Sequence, residues 1–92
     1  MQFAIVCLDK PDHGHLRAEN RPAPIEYLNA NLGHMLLAGP LLSDDGERPL
    51  GSLLIMEFDD RSQVQAFAEG DPYAKAGLFE SVTIRPFRKV LP

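Results

Sequence analysis

Two short stretches hold most of the side chains able to do chemistry. Asp71-Pro72-Tyr73 sets a carboxylate beside a phenol, and Arg21 heads the run Arg21-Pro22-Ala23-Pro24-Ile25-Glu26-Tyr27-Leu28 with a guanidinium. A positioned carboxylate acts as a general base, or orients an imidazole and stabilises its charged form. A guanidinium grips a carboxylate or phenolate as a fork. Both stretches read as helix starts and are expected near one cavity. Each group also has a plainer use. Asp before Pro is what a helix start needs, and such a cap contributes about 1 kcal/mol. Arg21 can instead form a surface ion pair with Glu19 or Asp12. The two roles of Asp71 separate by experiment, because Asp71→Asn keeps the cap and removes the charge.

The imidazoles are His13, His15 and His34. His13 and His15 precede the first main helix and can reach a cavity at its N-terminus, or remain exposed loop residues. His34 follows Gly33 and belongs to the far end of that helix. The His13-x-His15 spacing lacks the cysteine or carboxylate cluster that would complete a metal ligand set, so no metal is expected. Ser52 stands beside Gly51 where it can donate to a ligand, without the strained elbow of a hydrolase nucleophile. Tyr27 and Tyr73 offer phenols on apolar bodies, suited to a pocket wall or to core packing with a satisfied hydroxyl. Cys7, among Phe3, Ile5 and Val6, reads as a small buried hydrophobe. The glycines form neither a dinucleotide fingerprint nor a phosphate loop. No haem or flavin motif is present, and no cofactor is expected.

The elements that must position these groups follow from periodicity and punctuation. Phe3 to Leu8 is a strand with Phe3, Ile5 and Cys7 on one side and Ala4, Val6 and Leu8 on the other. Residues 9–20 are a polar loop with a turn of helix around Leu16. The main helix starts near Asn20 or Arg21, because Pro22 and Pro24 are tolerable only in a first turn, which needs no N–H. Ile25, Leu28 and Leu32 form its expected buried face, and Gly33 its left-handed stop. His34 to Leu42 is strand two, and a polar turn returns the chain antiparallel into strand three, Gly51 to Phe58. Asp60 and Gln63 have capping-box spacing for a second helix with Val64, Phe67 and Ala68 inward. Gly70 ends it, Asp71-Pro72 starts a further short turn, and Gly77 ends that. The last strand lies within Phe79 to Leu91, Val82 and Ile84 inward, with Pro86 marking a bend or an edge.

Strand, helix, strand, strand, helix, strand is the split βαβ pattern of a ferredoxin-like α+β fold: a four-stranded antiparallel sheet with helices on one face. Ninety-two residues make one domain, 1–92, whose small size leaves much surface uncovered. Both faces of the strands carry large apolar residues, and two helices cover only one face. A homodimer with the sheets packed face to face is therefore expected. A net charge of −4 supplies no basic stripe, so nucleic acid is not expected as a partner. No apolar run approaches the roughly 20 residues that cross a bilayer, and no membrane association is expected. The N-terminus reads directly as a strand without a signal, and the lone cysteine suits a reducing cytoplasm.

Several local motifs narrow this further: Arg21-Pro22-Ala23-x-Ile25-x-Tyr27-Leu28, Leu37-Ala38-Gly39-Pro40, Gly51-Ser52, Asp71-Pro72-Tyr73-x-x-Ala76-Gly77-Leu78, and Ile84-Arg85-Pro86-Phe87-Arg88-Lys89-Val90. In combination they resemble the YciI-like (YCII-related) family, from strand one to the C-terminus. The resemblance implies a dimeric α+β barrel of ferredoxin-like subunits. It implies distant kinship with muconolactone-isomerase-type proteins, and relatives that act on halogenated hydroxyquinones. The family pattern carries a histidine in a motif like Arg-Pro-Ala-His and an aspartate in Asp-Pro-Tyr. The aspartate carries over as Asp71. The histidine does not, since Pro24 holds its place and can neither take nor give a proton. Two functions are expected from different classes. One is a lyase- or isomerase-type enzyme moving protons on a small cyclic or aromatic acid, with Asp71 as base or orienter, Arg21 as anion clamp and Tyr73 as wall or donor. The other is a non-catalytic ligand-binding or regulatory dimer. A stand-in for the missing imidazole would be His13 or His15.

Overall fold

The computed structural model describes residues 1–92. In chain order it holds β1 (Gln2–Asp9), α1 (His15–Glu19), α2 (Ala23–Ala30), a 3₁₀ turn (Leu32–His34), β2 (Met35–Leu42), β3 (Pro49–Glu57), α3 (Arg61–Gly70), α4 (Pro72–Lys75) and β4 (Phe79–Phe87). The strands form one sheet in the order β2-β3-β1-β4, every neighbouring pair antiparallel. β3 inserts between β1 and β2, and the crossovers carry the helices. This is the ferredoxin-like α+β arrangement.

Register decides which residues meet the helices. Phe3 pairs with Met56, Ile5 with Leu54 and Cys7 with Ser52, while on the other side Ile5 pairs with Ile84 and Cys7 with Val82. Because side chains alternate along a strand, these residues share the helix-side face. Phe3, Ile5, Met56, Val64 and Leu78 are almost wholly buried, and Phe58, Phe67 and Ala68 extend the core. Burying each large apolar side chain contributes about 1.5–3 kcal/mol, so this layer holds the helices on the sheet.

The caps act as their residue types require. Asp60 accepts from Gln63 N at 3.0 Å, starting α3. The Gln63 side chain reaches back to Asp59 N at 3.0 Å, one residue before the cap. Asp71 accepts from Tyr73 N at 2.8 Å, starting α4, and Gly77 ends that turn at φ 80.

The first main helix departs from expectation. Its buried face is Pro24, Tyr27 and Leu28, one residue out of phase with Ile25, Leu28 and Leu32. Ile25 and Leu32 are exposed. The phase follows from Tyr27, whose ring stacks on Phe67 at 5.2 Å and turns α2 about its axis. Gly33 is not a left-handed stop either, because positive φ among the glycines falls at Gly46 and Gly77. α2 ends at Ala30, where the Asn31 side chain donates to Tyr27 O at 2.8 Å and the chain tightens into the 3₁₀ turn. β1 gains a residue at each end, β2 starts at Met35 rather than His34, and β3 runs from Pro49 to Glu57, two residues earlier at its start and one at its end, while β4 lies within its expected span. End residues pair by position in the ladder rather than by their own propensity.

The opposite face of the sheet bears Val6, Leu8, Leu37, Leu53 and Ile55. Leu37 is 51% exposed and Leu8 45%, whereas the central Ile55 is buried by its neighbours. No helix of the structure is long and apolar enough to cross a membrane.

Candidate functional site

A cavity of about 280 Å³ opens between the sheet, the start of α2 and the α3–α4 junction. Arg17, Arg21, Ser52, Asp71 and Tyr73 supply its polar groups, and Pro24, Ile25, Leu28, Leu54 and the Ala38-Gly39-Pro40 run its apolar wall. A second hollow of similar size lies by β4, between Arg61, Glu69, Val82 and Ile84. There Arg61 Nη1 is spent on Ile84 O at 3.1 Å, and the other polar side chains of the lining are Gln65 and Glu69.

The anchor of the first cavity is Arg17, which sequence reading did not single out. Its Nε donates to Asp9 Oδ2 at 2.8 Å and its Nη2 to Asp9 Oδ1 at 2.9 Å, a two-point fork. Nη2 also reaches Gly51 O at 3.0 Å and Ser52 Oγ at 3.4 Å. Nη1 makes no hydrogen bond within the protein. The two side chains are only 12% and 7% exposed, so the charges compensate each other where water cannot. Tyr73 completes the mount: its ring lies 5.1 Å below the guanidinium, and its hydroxyl donates to Arg17 O at 3.2 Å. Asp9 has its own sequence signal. It continues the inward alternation Phe3, Ile5, Cys7, at the point where the pairing of β1 with β4 shifts register between Leu8 and Asp9.

Gly51 lets β3 close on this point. A Cβ there would collide with the carbonyl oxygen of Cys7 on β1. Any other residue would push Ser52 and the Gly51 carbonyl away from Arg17.

Asp71 caps α4 and lines the cavity at once. Burial lifts its carboxyl above the ordinary value of 3.8, against the Tyr73 and Ala74 N–H donors and the Arg17 guanidinium, which pull it down. Cys7 lies beneath the same charges. Burial first, then the Asp71 and Asp9 carboxylates, push its thiol up to about 12, so it stays protonated and unreactive.

The structure thus brings together Arg21, Ser52 and the Asp71–Tyr73 pair from three places in the chain. Arg21 lines the rim without an ion pair to Glu19 or Asp12; the ion pair of the structure is Arg17–Asp9. His13 and His15 do not line the cavity. Their rings face each other at 6.2 Å, with His13 Nδ1 2.7 Å from Pro11 O. His34 stacks on Phe58 at 4.5 Å, at the other end of α2. No imidazole lines the cavity with Asp71, and the α2 residue Pro24, buried, forms part of the same wall. No group of three or more His, Cys, Asp or Glu side chains is arranged to hold a metal.

A ferredoxin-like α+β domain with a small cavity at the helix–sheet seam, lined by both charged and apolar side chains, is the class that this geometry defines. The YCII-related domain model matches residues 1–88, and the chain belongs to that family. It is 37% identical over 97 residues to Protein YciI of Escherichia coli, covering 98% of this chain and 99% of that one, and equally to Protein YciI of Shigella flexneri. An uncharacterised protein of Haemophilus influenzae is 32% identical over 98 residues, with the same coverage. Among solved structures, 5-chloro-2-hydroxyhydroquinone dehydrochlorinase of Burkholderia phenoliruptrix superposes with a TM-score of 0.88 at 33% identity. The match covers 96% of this chain and 94% of that one, and that structure holds 2,5-dihydroxybenzoquinone.

Proposed function

We propose that the cavity binds a small planar organic anion, of the hydroxylated quinone or cyclic acid type, and moves a proton on it in a lyase- or isomerase-like step. The observation that carries this reading is the convergence of Arg17, Ser52, Asp71 and Tyr73 on one cavity of about 280 Å³, a volume suited to one substituted ring. Arg17 is held rigidly by Asp9, so its free Nη1 and the Ser52 hydroxyl are preorganised for an oxyanion. Arg21 adds positive charge at the rim and Tyr73 forms a wall. The Asp71 carboxylate takes a proton from a hydroxyl or an acidic C–H. The electron pair of the broken bond delocalises onto the ring oxygen held by Arg17 and Ser52. In a lyase step it then returns to the ring and expels the leaving group as its anion, chloride for a chlorinated ring. In an isomerase step a second ring atom takes the proton back from Asp71. A carboxyl raised towards neutrality suits that exchange. With Pro24 in the imidazole's place, Asp71 acts on the ligand directly. The bound quinone of the structural relative supports the ligand class.

Pro24 also favours a second reading, in which the cavity binds such an anion without turnover. Both are separated by one experiment. Wild type and Asp71→Asn are mixed with 5-chloro-2-hydroxyhydroquinone while chloride release is followed, and binding of 2,5-dihydroxybenzoquinone is measured by calorimetry. Chloride release lost in Asp71→Asn supports the enzyme. Saturable binding in both proteins without turnover supports the binding module. Absence of binding in wild type overturns the ligand class.

The working unit in this proposal is a homodimer in a reducing cytoplasm, its apolar sheet faces stacked. Leu37→Asp is expected to give a monomer by sedimentation equilibrium where wild type gives a dimer. A monomeric wild type would defeat that part.

A further inference from the structure

We propose that Tyr27 is the positioning residue of this site: its hydroxyl fixes the bend between α3 and α4 that aims Asp71 into the cavity. The inference rests on Asp71 being the working group of the proposed site. At the end of α3 the Asp71 N–H does not continue the helical pattern to Phe67 O; it turns to Ala68 O at 3.3 Å. The Phe67 carbonyl left behind takes the Tyr27 hydroxyl at 2.8 Å. A side chain from α2 thus replaces the backbone bond that α3 gives up. Asp71, which Pro72 keeps out of the helical region, adopts extended backbone, φ −60 and ψ 126, and caps α4.

Gly70 is the second half of the device. The phenol oxygen lies 2.5 Å from where a Cβ on Gly70 would sit, and the ring carbon that bears it 3.3 Å away. A Cβ here would have to displace the phenol, so the constraint is close approach and not backbone angle. Tyr27 sits on the same helix as Pro24, Ile25 and Leu28, which line the cavity. One hydroxyl therefore ties the apolar wall to the acid. Burial and the nearby Asp71 carboxylate both raise the phenol's pKa, consistent with their proximity.

The test uses Tyr27→Phe, Gly70→Ala and the double variant. The readouts are the Asp71 carboxyl pKa by NMR titration and calorimetric affinity for 2,5-dihydroxybenzoquinone. Tyr27→Phe keeps the ring on Phe67 and removes only the hydroxyl. It is expected to let water reach Asp71, moving its pKa back towards 3.8, and to weaken binding about tenfold. Gly70→Ala displaces the phenol and should do the same. In the Tyr27→Phe background the added methyl should have much less effect, because the oxygen it meets is gone. An unchanged Asp71 pKa in both single variants, with only the melting temperature lowered, would overturn the proposal and leave Tyr27 as a core residue. The pKa readout needs no ligand. If wild type fails to bind the quinone, the ligand reading falls and the positioning of Asp71 is still decided.

Discussion

Arg17 grips Asp9 through two hydrogen bonds of 2.8 and 2.9 Å, and the pair is nearly closed to solvent. A buried pair of this kind is weak as a source of stability and strong as a source of geometry. Arg17→Ala strands the Asp9 carboxylate and is expected to lose about 3–5 kcal/mol, read by urea unfolding. Arg17→Met combined with Asp9→Leu should recover most of that loss and still fail to bind a quinone anion. Recovery of binding in the double variant would remove Arg17 from the site.

Asp71 should make stability fall as pH rises. Its native carboxyl is raised above 3.8, so between the unfolded and native values the folded chain holds more protons. Stability then declines with pH through that window and is greatest below it. Asp71→Asn keeps a good cap and removes the charge. It should flatten the profile and melt no lower than wild type at pH 7. A variant markedly less stable at neutral pH would show that the charge itself is needed for the fold.

Gly51→Ala is expected to part β1 from β3 at the site end of the sheet, since its methyl meets the Cys7 carbonyl oxygen. Overpacking of this kind costs about 1–3 kcal/mol. Amide exchange should quicken around Leu8 and Ser52, and quinone binding should fall. Unaltered exchange there would mean that the strands absorb the methyl.

His13→Ala and His15→Ala should leave ligand binding intact and change stability by no more than about 0.5 kcal/mol, because both rings stand apart from the cavity. Thermal denaturation and calorimetry check this. Loss of binding in either variant would bring the loop back into the site.

Pro24→His restores an amide N–H at the start of α2, where one is readily accommodated, and sets an imidazole in the cavity wall. If Asp71 pairs with it, chloride release from 5-chloro-2-hydroxyhydroquinone should rise about 100-fold, the usual yield of a positioned acid–base group. No gain would argue that the rest of the site does not serve that reaction.

The sequence alone determined the element order, the caps at Asp60 and Asp71, the inward stripe Phe3-Ile5-Cys7, the family, and the lack of an imidazole at position 24. These are local or pattern-level matters, governed by periodicity, backbone donors and residue type within a few positions. Only the tertiary structure decided that Arg17 rather than Arg21 is the anchored cation, that His13 and His15 stand aside, and that α2 turns Pro24 and Tyr27 inward in place of Ile25 and Leu32. Arg17 meets Asp9, Ser52 and Tyr73 across up to 56 residues of chain. That meeting depends on strand register and on the close approach at Gly51. Desolvation of Asp71 likewise comes from neighbours that no local window contains.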